Sequence, residues 1–169
     1  MDNLKEILEK AKSASGAKDY QTAFEIWKSL AEQRNAEAQI NLGRMYVNGR
    51  GVSKDYKEAL KWYRLAAEQG DADAQCLLGG MYYEGLGVEQ DYKEAEKWWR
   101  LSAEPVVFEG DAEAQCNLGL MYHEGQGVPQ DNKEAVKWWR LAAEQREEQA
   151  QVNLAAMQDD SLDCLNSPN

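Results

Sequence analysis

The chain has 169 residues, 43% of them hydrophobic and 29% charged, with a formal net charge of −11. That length suits one domain, no apolar run approaches the roughly 18 residues of a membrane helix, and the acidity leaves no basic footprint for nucleic acid or an anionic membrane. Basic proteins or peptides are the better electrostatic match, although the same charge also serves solubility.

The N-terminus, Met1-Asp2-Asn3-Leu4-Lys5-Glu6, is polar and already helix-patterned. It lacks the basic and apolar regions of a signal peptide, so a cytoplasmic location is the expectation; a mature secreted form or a trimmed chain would look the same. A first helix is expected over 3–14. Ser15-Gly16-Ala17-Lys18 then leads to a second over 19–34, with Ala23, Ile26, Trp27 and Ala31 on one face.

From residue 35 the chain repeats itself. Ala38, Leu42, Gly43, Met45, Tyr46, Gly49, Gly51, Val52, Asp55, Ala59 and Trp62 recur 36 residues later as Ala74, Leu78, Gly79, Met81, Tyr82, Gly85, Gly87, Val88, Asp91, Ala95 and Trp98. A third copy runs from Ala114, Leu118 and Gly119 to Trp138. A period of this length marks an all-α solenoid, in which each unit buries its apolar face against its neighbours. Each copy reads as two helices, giving about nine in the chain. In the second copy Asp71 caps a helix over 72–84, Gly85 and Gly87 end it, Val88 plugs the loop, and Asp91 with Glu94 starts the next. Gly43, Gly79 and Gly119 lie inside first helices, where glycine costs about 1 kcal/mol. Their recurrence predicts close approach of the paired helix.

The resulting organisation is one repeat domain: an N-terminal pair over 1–34, copies over 35–70, 71–110 and 111–146, a polar capping helix over 147–158 and a loose tail over 159–169 in which Leu162 and Leu165 can fold back. The third copy is offset by four extra residues at Pro105-Val106-Val107-Phe108-Glu109-Gly110. Val106-Val107-Phe108 either tucks under the repeat junction, the expected arrangement since monomers rarely expose large apolar patches, or forms a contact patch.

The pattern from Leu42 to Ala67, Leu-Gly-x-Met-Tyr-x-x-Gly-x-Gly-Val-x-x-Asp-x-x-x-Ala-x-x-Trp-x-x-x-Ala-Ala, closely resembles the Sel1-like repeat, a branch of the tetratricopeptide-like superfamily. Three copies cover 35–144, and the N-terminal pair looks more like an ordinary tetratricopeptide unit. The resemblance implies a right-handed α/α solenoid used as a protein-interaction scaffold. It also implies that first helices line a concave face, which by register carries Glu37, Ile40, Arg44, Val47 and Asn48, then Asp73, Cys76, Gly80, Tyr83 and Glu84, then Glu113, Cys116, Leu120, His123 and Glu124. The expected ligand is a peptide or helix of a protein partner with a basic segment, not nucleic acid or membrane, and the chain is expected to be a monomer with at most weak self-association. Cysteine-rich secreted relatives of the family, some labelled as penicillin-binding or β-lactamase, carry a disulfide in each repeat. No copy here contains a cysteine pair.

Chemistry is sparse. His123 is the single histidine and stands where other copies carry Val47 and Tyr83. Any Ser-His-Asp or Cys-His arrangement would have to use it. The cysteines lack metal spacing, and the Gly-x-Gly triplets do not follow strands. No catalytic residue, cofactor or metal site is assigned. Cys76 and Cys116 occupy a position held elsewhere by Ile40 and Val152, and are expected as free thiols, since helices 8–10 Å apart do not bring Cα atoms within about 7 Å. Trp27, Trp62, Trp98, Trp99, Trp138 and Trp139 recur on second helices and are expected to pack. Glu84 and Glu124 end first helices, where acids are mildly unfavourable, which makes them the better functional candidates. Lysines and arginines such as Lys61 and Lys97 are expected to make the opposite, second-helix side positive. The rival readings are a cell-wall or β-lactam-related enzyme by family analogy, and a self-assembly module.

Overall fold

The computed structural model describes residues 2–104 and 110–166, with side chains described for 3–104 and 110–157. Among them all regular structure is helical, in nine helices, and no helix is long and apolar enough to cross a membrane. The expectation for Val106-Val107-Phe108 falls outside the described residues. The chain divides into two compact units, Met1–Asp91 and Tyr92–Asn169.

The first unit holds α1 (Asp2–Gly16), α2 (Tyr20–Glu32), α3 (Ala36–Asn48), α4 (Tyr56–Ala67) and α5 (Ala72–Glu84), each packed on its sequence neighbours. Side-chain caps set where the helices begin. Asn35 accepts from the Ala38 N–H, Asp71 from the Ala74 N–H, and Asp55 from the Lys57 and Glu58 N–H groups. These are donors a helix leaves open, and each cap is worth about 1 kcal/mol. At the far ends of α3 and α5, Gly49 and Gly85 take left-handed φ of 65° and 70°. The loop beyond closes on itself. The Asp55 N–H bonds the Tyr46 carbonyl at 3.0 Å and the Asp91 N–H bonds the Tyr82 carbonyl at 2.9 Å. Its second glycine is forced by close approach, because a Cβ on Gly87 would lie 2.5 Å from the Tyr56 carbonyl carbon.

The core of this unit gathers Trp27, Leu30, Leu42, Met45 and Trp62 with Ala11, Ala23, Ala31 and Ala38. Each large side chain buried there contributes about 1.5–3 kcal/mol. The glycine inside α3 has the steric cause expected of it, with a side chain as the neighbour. A Cβ on Gly43 would run into the ring of Tyr63 on α4. Burial of that phenol pushes its pKa up to about 12. One recurring tie was not foreseen. The buried Gln39 and Gln75 donate to the Ala31 and Ala67 carbonyls at 3.1 and 3.3 Å, and so fasten each first helix to the end of the preceding second helix.

The second unit holds α6 (Tyr92–Ala103), α7 (Ala112–Glu124), α8 (Asn132–Glu144) and α9 (Glu148–Asn166). Its core is Cys116, Ala135, Trp139, Ala142 and Ala150, flanked by Leu154 and Met157. The same devices return. Asp111 and Asp131 cap α7 and α8, Gln115 donates to the Ala103 carbonyl at 3.2 Å, and a Cβ on Gly119 would meet the Trp139 indole. That indole N–H in turn donates to the Cys116 carbonyl at 3.1 Å. Arg100 bonds Glu96 at 2.7 Å and the Tyr122 hydroxyl at 2.7 Å. Burial opposes its charge, but the carboxylates of Glu96 and Glu104 raise its pKa. The C-terminal helix runs further than expected. The backbone stays helical beyond residue 158 to Asn166, because 159–166 contains no glycine or proline to stop it. Ala155, at the position of the helix-interior glycines, is exposed because no second helix covers α9 among the described residues.

Candidate partner-binding face

Fifteen residues were assigned to the partner-binding face, and the structure sorts them by exposure. Arg44, Asn48, Asp73, Glu84, Glu113 and Glu124 are exposed, and Glu37, Val47, Gly80, Tyr83, Leu120 and His123 are half-buried. Three assignments need correction. Ile40, Cys76 and Cys116 are only 5–6% exposed and belong to the packing of the helices, with Ile40 keeping an edge on a cavity of this face. Their repeat position points along the seam between helices, which explains why only small or apolar residues occupy it. Neither cysteine is in a disulfide, and burial pushes the Cys116 thiol up to about 11.

In the first unit the face is concave enough to form cavities. One of about 440 Å³ is lined by Lys12, Glu37, Ile40, Asn41, Arg44, Asp71 and Asp73. It brings together residues of α1, α3 and α5, including Glu37, Ile40, Arg44 and Asp73 from the expected set. Glu37 is not a free acid: Lys12 pairs with it at 2.9 Å, and that hydrogen bond raises the lysine pKa. Asp71 is committed to its cap. A smaller cavity of about 110 Å³ shares Asn41 and Arg44 and adds Ser15, Tyr20, Asn48 and Arg50. Lys12, Asn41 and Arg50 were not anticipated. The available signal was that Arg50 and Asn41 have different residues, Leu86 and Leu77, in the next copy. A third hollow of about 610 Å³ lies between α1 and α2 and is lined by Leu4, Ile7, Ile26 and Leu30, away from all the expected residues.

In the second unit α7 presents Glu113, Leu120, His123 and Glu124. His123 is engaged structurally. Its Nδ1 lies 3.1 Å from the Asn132 Oδ1, its ring sits 5.5 Å from that of Trp139, and its carbonyl accepts from Gln130 at 2.7 Å. Among the described residues no group of three or more His, Cys, Asp or Glu could hold a metal ion.

The second helices differ from the expectation of a plainly positive side. Lys61, Lys97 and Lys137 each pair with the glutamate three residues earlier, at 3.4, 3.2 and 3.1 Å. Each also lies over the neighbouring indole of Trp62, Trp98 or Trp138. Much of that lysine charge is therefore locally balanced. Trp27, Trp62, Trp99, Trp138 and Trp139 are buried and Trp98 is half-buried, as packing residues should be.

Comparison with known proteins agrees with this geometry. The Sel1 repeat pattern matches residues 13–35, 36–71, 72–104 and 112–146. Its first match covers much of the pair that looked like an ordinary tetratricopeptide unit. A Sel1 repeat protein from Oxalobacter formigenes is 42% identical with a TM-score of 0.73, over 80% of this chain and 54% of that one. A protective antigen present in uropathogenic Escherichia coli strains, displaying an SLR fold, is 39% identical with a TM-score of 0.77, over 82% of this chain and 29% of that one. The chain thus spans about half of the first relative and under a third of the second. Helicobacter pylori cysteine rich protein B, 21% identical with a TM-score of 0.59 over 80% and 95% of the two chains, shares the fold. No curated protein of known function matches. With four matched segments spread along most of its length, the chain belongs to the Sel1 repeat family.

Proposed function

We propose that this protein is a non-enzymatic scaffold that holds a peptide or helix of a partner protein on its first-helix faces. One observation carries the reading. Leu42, Leu78 and Leu118 are identical and 0% exposed, whereas the positions two residues further on, facing outward, are Arg44, Gly80 and Leu120. The fold sets the first group and leaves the second to a ligand. Sel1 repeats in general mediate protein interactions, and family membership supports a protein as the partner.

Glu84 and Glu124 are exposed in the last turns of α5 and α7, where the helix dipole disfavours acids. Attraction of a basic segment would account for them. The chemistry of the interior supports a non-enzymatic role. The single imidazole is bonded to Asn132, and the Cys116 thiol stays protonated near neutral pH.

The test is affinity capture with wild type and with the Glu84→Lys/Glu124→Lys double variant, followed by binding titrations of the captured partner at increasing salt. The expected result is a partner that the variant loses without unfolding, and whose affinity falls with salt because exposed charges are screened over about 8 Å. A partner indifferent to both, yet lost when Lys61 and Lys97 are changed, places binding on the second helices. Turnover of nitrocefin, or covalent labelling by a penicillin, would overturn the non-enzymatic reading. Self-association is a second reading, favoured by Val152, which is 60% exposed on α9. Light scattering should give a concentration-independent monomer mass; a rise abolished by Val152→Ser would establish assembly.

A further inference from the structure

The smaller cavity of the first unit is lined by no carboxylate, in a chain of net charge −11. Its polar lining is Ser15, Tyr20, Asn41, Arg44, Asn48 and Arg50. Arg44 and Arg50 make no ion pair among the described residues, whereas Lys12 in the adjoining cavity is matched by Glu37. The Arg50 guanidinium lies 5.6 Å from the centre of the Tyr20 ring, which steadies it. Asn41 donates one amide proton to the Glu37 carbonyl at 2.9 Å and Asn48 donates one to the Arg44 carbonyl at 2.8 Å. Each amide group has two protons, so each keeps one to offer. Ser15 is occupied, donating to the Ala11 carbonyl at 3.0 Å and accepting from the Trp27 indole at 3.4 Å.

The repeat itself does not demand Arg44, Asn48 or Arg50, although Asn41 recurs as Asn117 in the third copy. The positions of Arg44, Asn48 and Arg50 hold Gly80, Glu84 and Leu86 in the second copy and Leu120, Glu124 and Gln126 in the third. Two guanidinium forks and one amide donor, Asn48, are therefore particular to this copy and stand with Asn41 around a space of about 110 Å³. That is room for a single small planar anion, the shape a guanidinium fork matches best.

We propose that the Asn41–Arg44–Asn48–Arg50 pocket of the first unit binds a carboxylate group of the partner segment. The proposal rests on the scaffold reading above and adds to it. The partner then carries an acidic group for this pocket as well as basic residues for acids such as Asp73, which lines the adjoining cavity. The carboxylate can come from a glutamate or aspartate side chain or from a chain terminus, and the chemistry of the pocket is the same for both.

The experiment is a nuclear magnetic resonance titration of the full chain at constant ionic strength, reading the Nε–Hε signals of Arg44 and Arg50 and the side-chain amides of Asn41 and Asn48. Four probes are used: N-acetylglutamate α-methylamide, N-acetylglycine, the uncharged N-acetylglutamine methylamide, and inorganic phosphate. The expected result is a saturable shift of all four groups with at least one carboxylate probe, the stronger of the two naming the source, and none with the uncharged probe. The Arg44→Leu/Arg50→Gln variant copies residues the third copy already carries, so it should fold, and it should weaken the response at least tenfold. Shifts that do not saturate, an equal response to the uncharged probe, an unaltered response in the variant, or tighter binding of phosphate than of either carboxylate would each overturn the proposal. If the titration holds while the Glu84/Glu124 reversal leaves partner binding intact, the basic-segment reading falls and the carboxylate pocket stands. A flat titration beside a reversal that abolishes binding would remove the pocket alone.

Discussion

Helices α3 and α7 share their buried residues apart from Ile40 against Cys116, and differ at several positions outside. Ala38, Gln39, Leu42, Gly43 and Met45 in α3 match Ala114, Gln115, Leu118, Gly119 and Met121 in α7, and all are buried. Outside, Arg44 faces Leu120 in register, Val47 faces His123 and Asn48 faces Glu124. The buried identity has a mechanical origin, because a flat aromatic ring from the paired helix covers each interior glycine, Tyr63 in one case and Trp139 in the other. Among the described residues no ring covers Arg44, Asn48 or Glu124, which are exposed. This repeat array therefore holds the packed face of a helix nearly constant while its outer face varies, and two helices of nearly identical packing carry different charge.

The separation can be broken most severely at the glycines. Gly43→Leu and Gly119→Leu push a side chain into a ring that has nowhere to go, since Tyr63 and Trp139 are themselves buried. Overpacking of this kind costs about 1–3 kcal/mol or more, and both variants should show a large drop in the urea midpoint of unfolding. Arg44→Leu, one residue away, should leave the midpoint unchanged. Equal midpoints for Gly43→Leu and Arg44→Leu would mean the packed face has been misassigned.

A smaller break comes from the buried glutamines. Gln39→Leu and Gln115→Leu keep side-chain bulk but leave the Ala31 and Ala103 carbonyls without the donor they now have. Each also removes the acceptor for Gln69 or Gln145, at 2.7 and 3.0 Å. The Ala31 carbonyl keeps the Arg34 N–H, so the loss is that of buried hydrogen bonds at about 0.5–1.5 kcal/mol each, and chemical denaturation should place these variants between the glycine variants and wild type. A neutral result would show that water replaces the bond.

The glutamines also mark where sequence reasoning stopped. The period, the caps at Asp71 and Asp131 and the left-handed glycines are all local signals, set by residues within one turn of each other, and they place the helices almost to the residue. The role of Gln39 depends on a carbonyl eight positions earlier, across a turn, and nothing in its neighbours reveals it. The face was legible in the same uneven way. The family register put Arg44, Asp73 and Glu84 outside, but it could not tell that Ile40, Cys76 and Cys116 pack between helices. Nor could it pair Lys12 with Glu37, because that contact joins two helices with a third packed between them in sequence. The C-terminal helix runs past the expected end at 158 because a tail too short for a partner helix can still continue the helix it follows, and 159–166 holds no glycine or proline to stop it.

The turns before the first helices sharpen the comparison more gently. Gly70 precedes α5 with φ of 88°, while Arg34 and Arg146, at the same repeat position before α3 and α9, take φ of 66° and 67°. A non-glycine residue in this region costs about 1–2 kcal/mol, and glycine returns about 0.5–1 kcal/mol of that through greater freedom of the unfolded chain. Arg34→Gly and Arg146→Gly should each raise stability by up to about 1 kcal/mol, read as a higher thermal midpoint. A fall would mean that the arginine side chains make contacts worth more than the backbone relief.

The mildest change is the most telling for recognition. Arg44→Leu together with Leu120→Arg exchanges the outer residues of α3 and α7 and leaves both buried sides untouched. Both positions are on the open side of their helices, and leucine and arginine have similar helix propensity. Surface substitutions of this kind stay within about 0.5 kcal/mol, so the denaturation curve should overlay that of wild type. Formal charge is also conserved, which removes any general electrostatic cause for a binding change. The partner's affinity should nevertheless fall, since a guanidinium moved from α3 to α7 leaves the pocket that Asn48 and Arg50 complete. Unchanged affinity in the exchanged protein would show that net charge alone, and not the placement of each residue on its own helix, is what the partner reads.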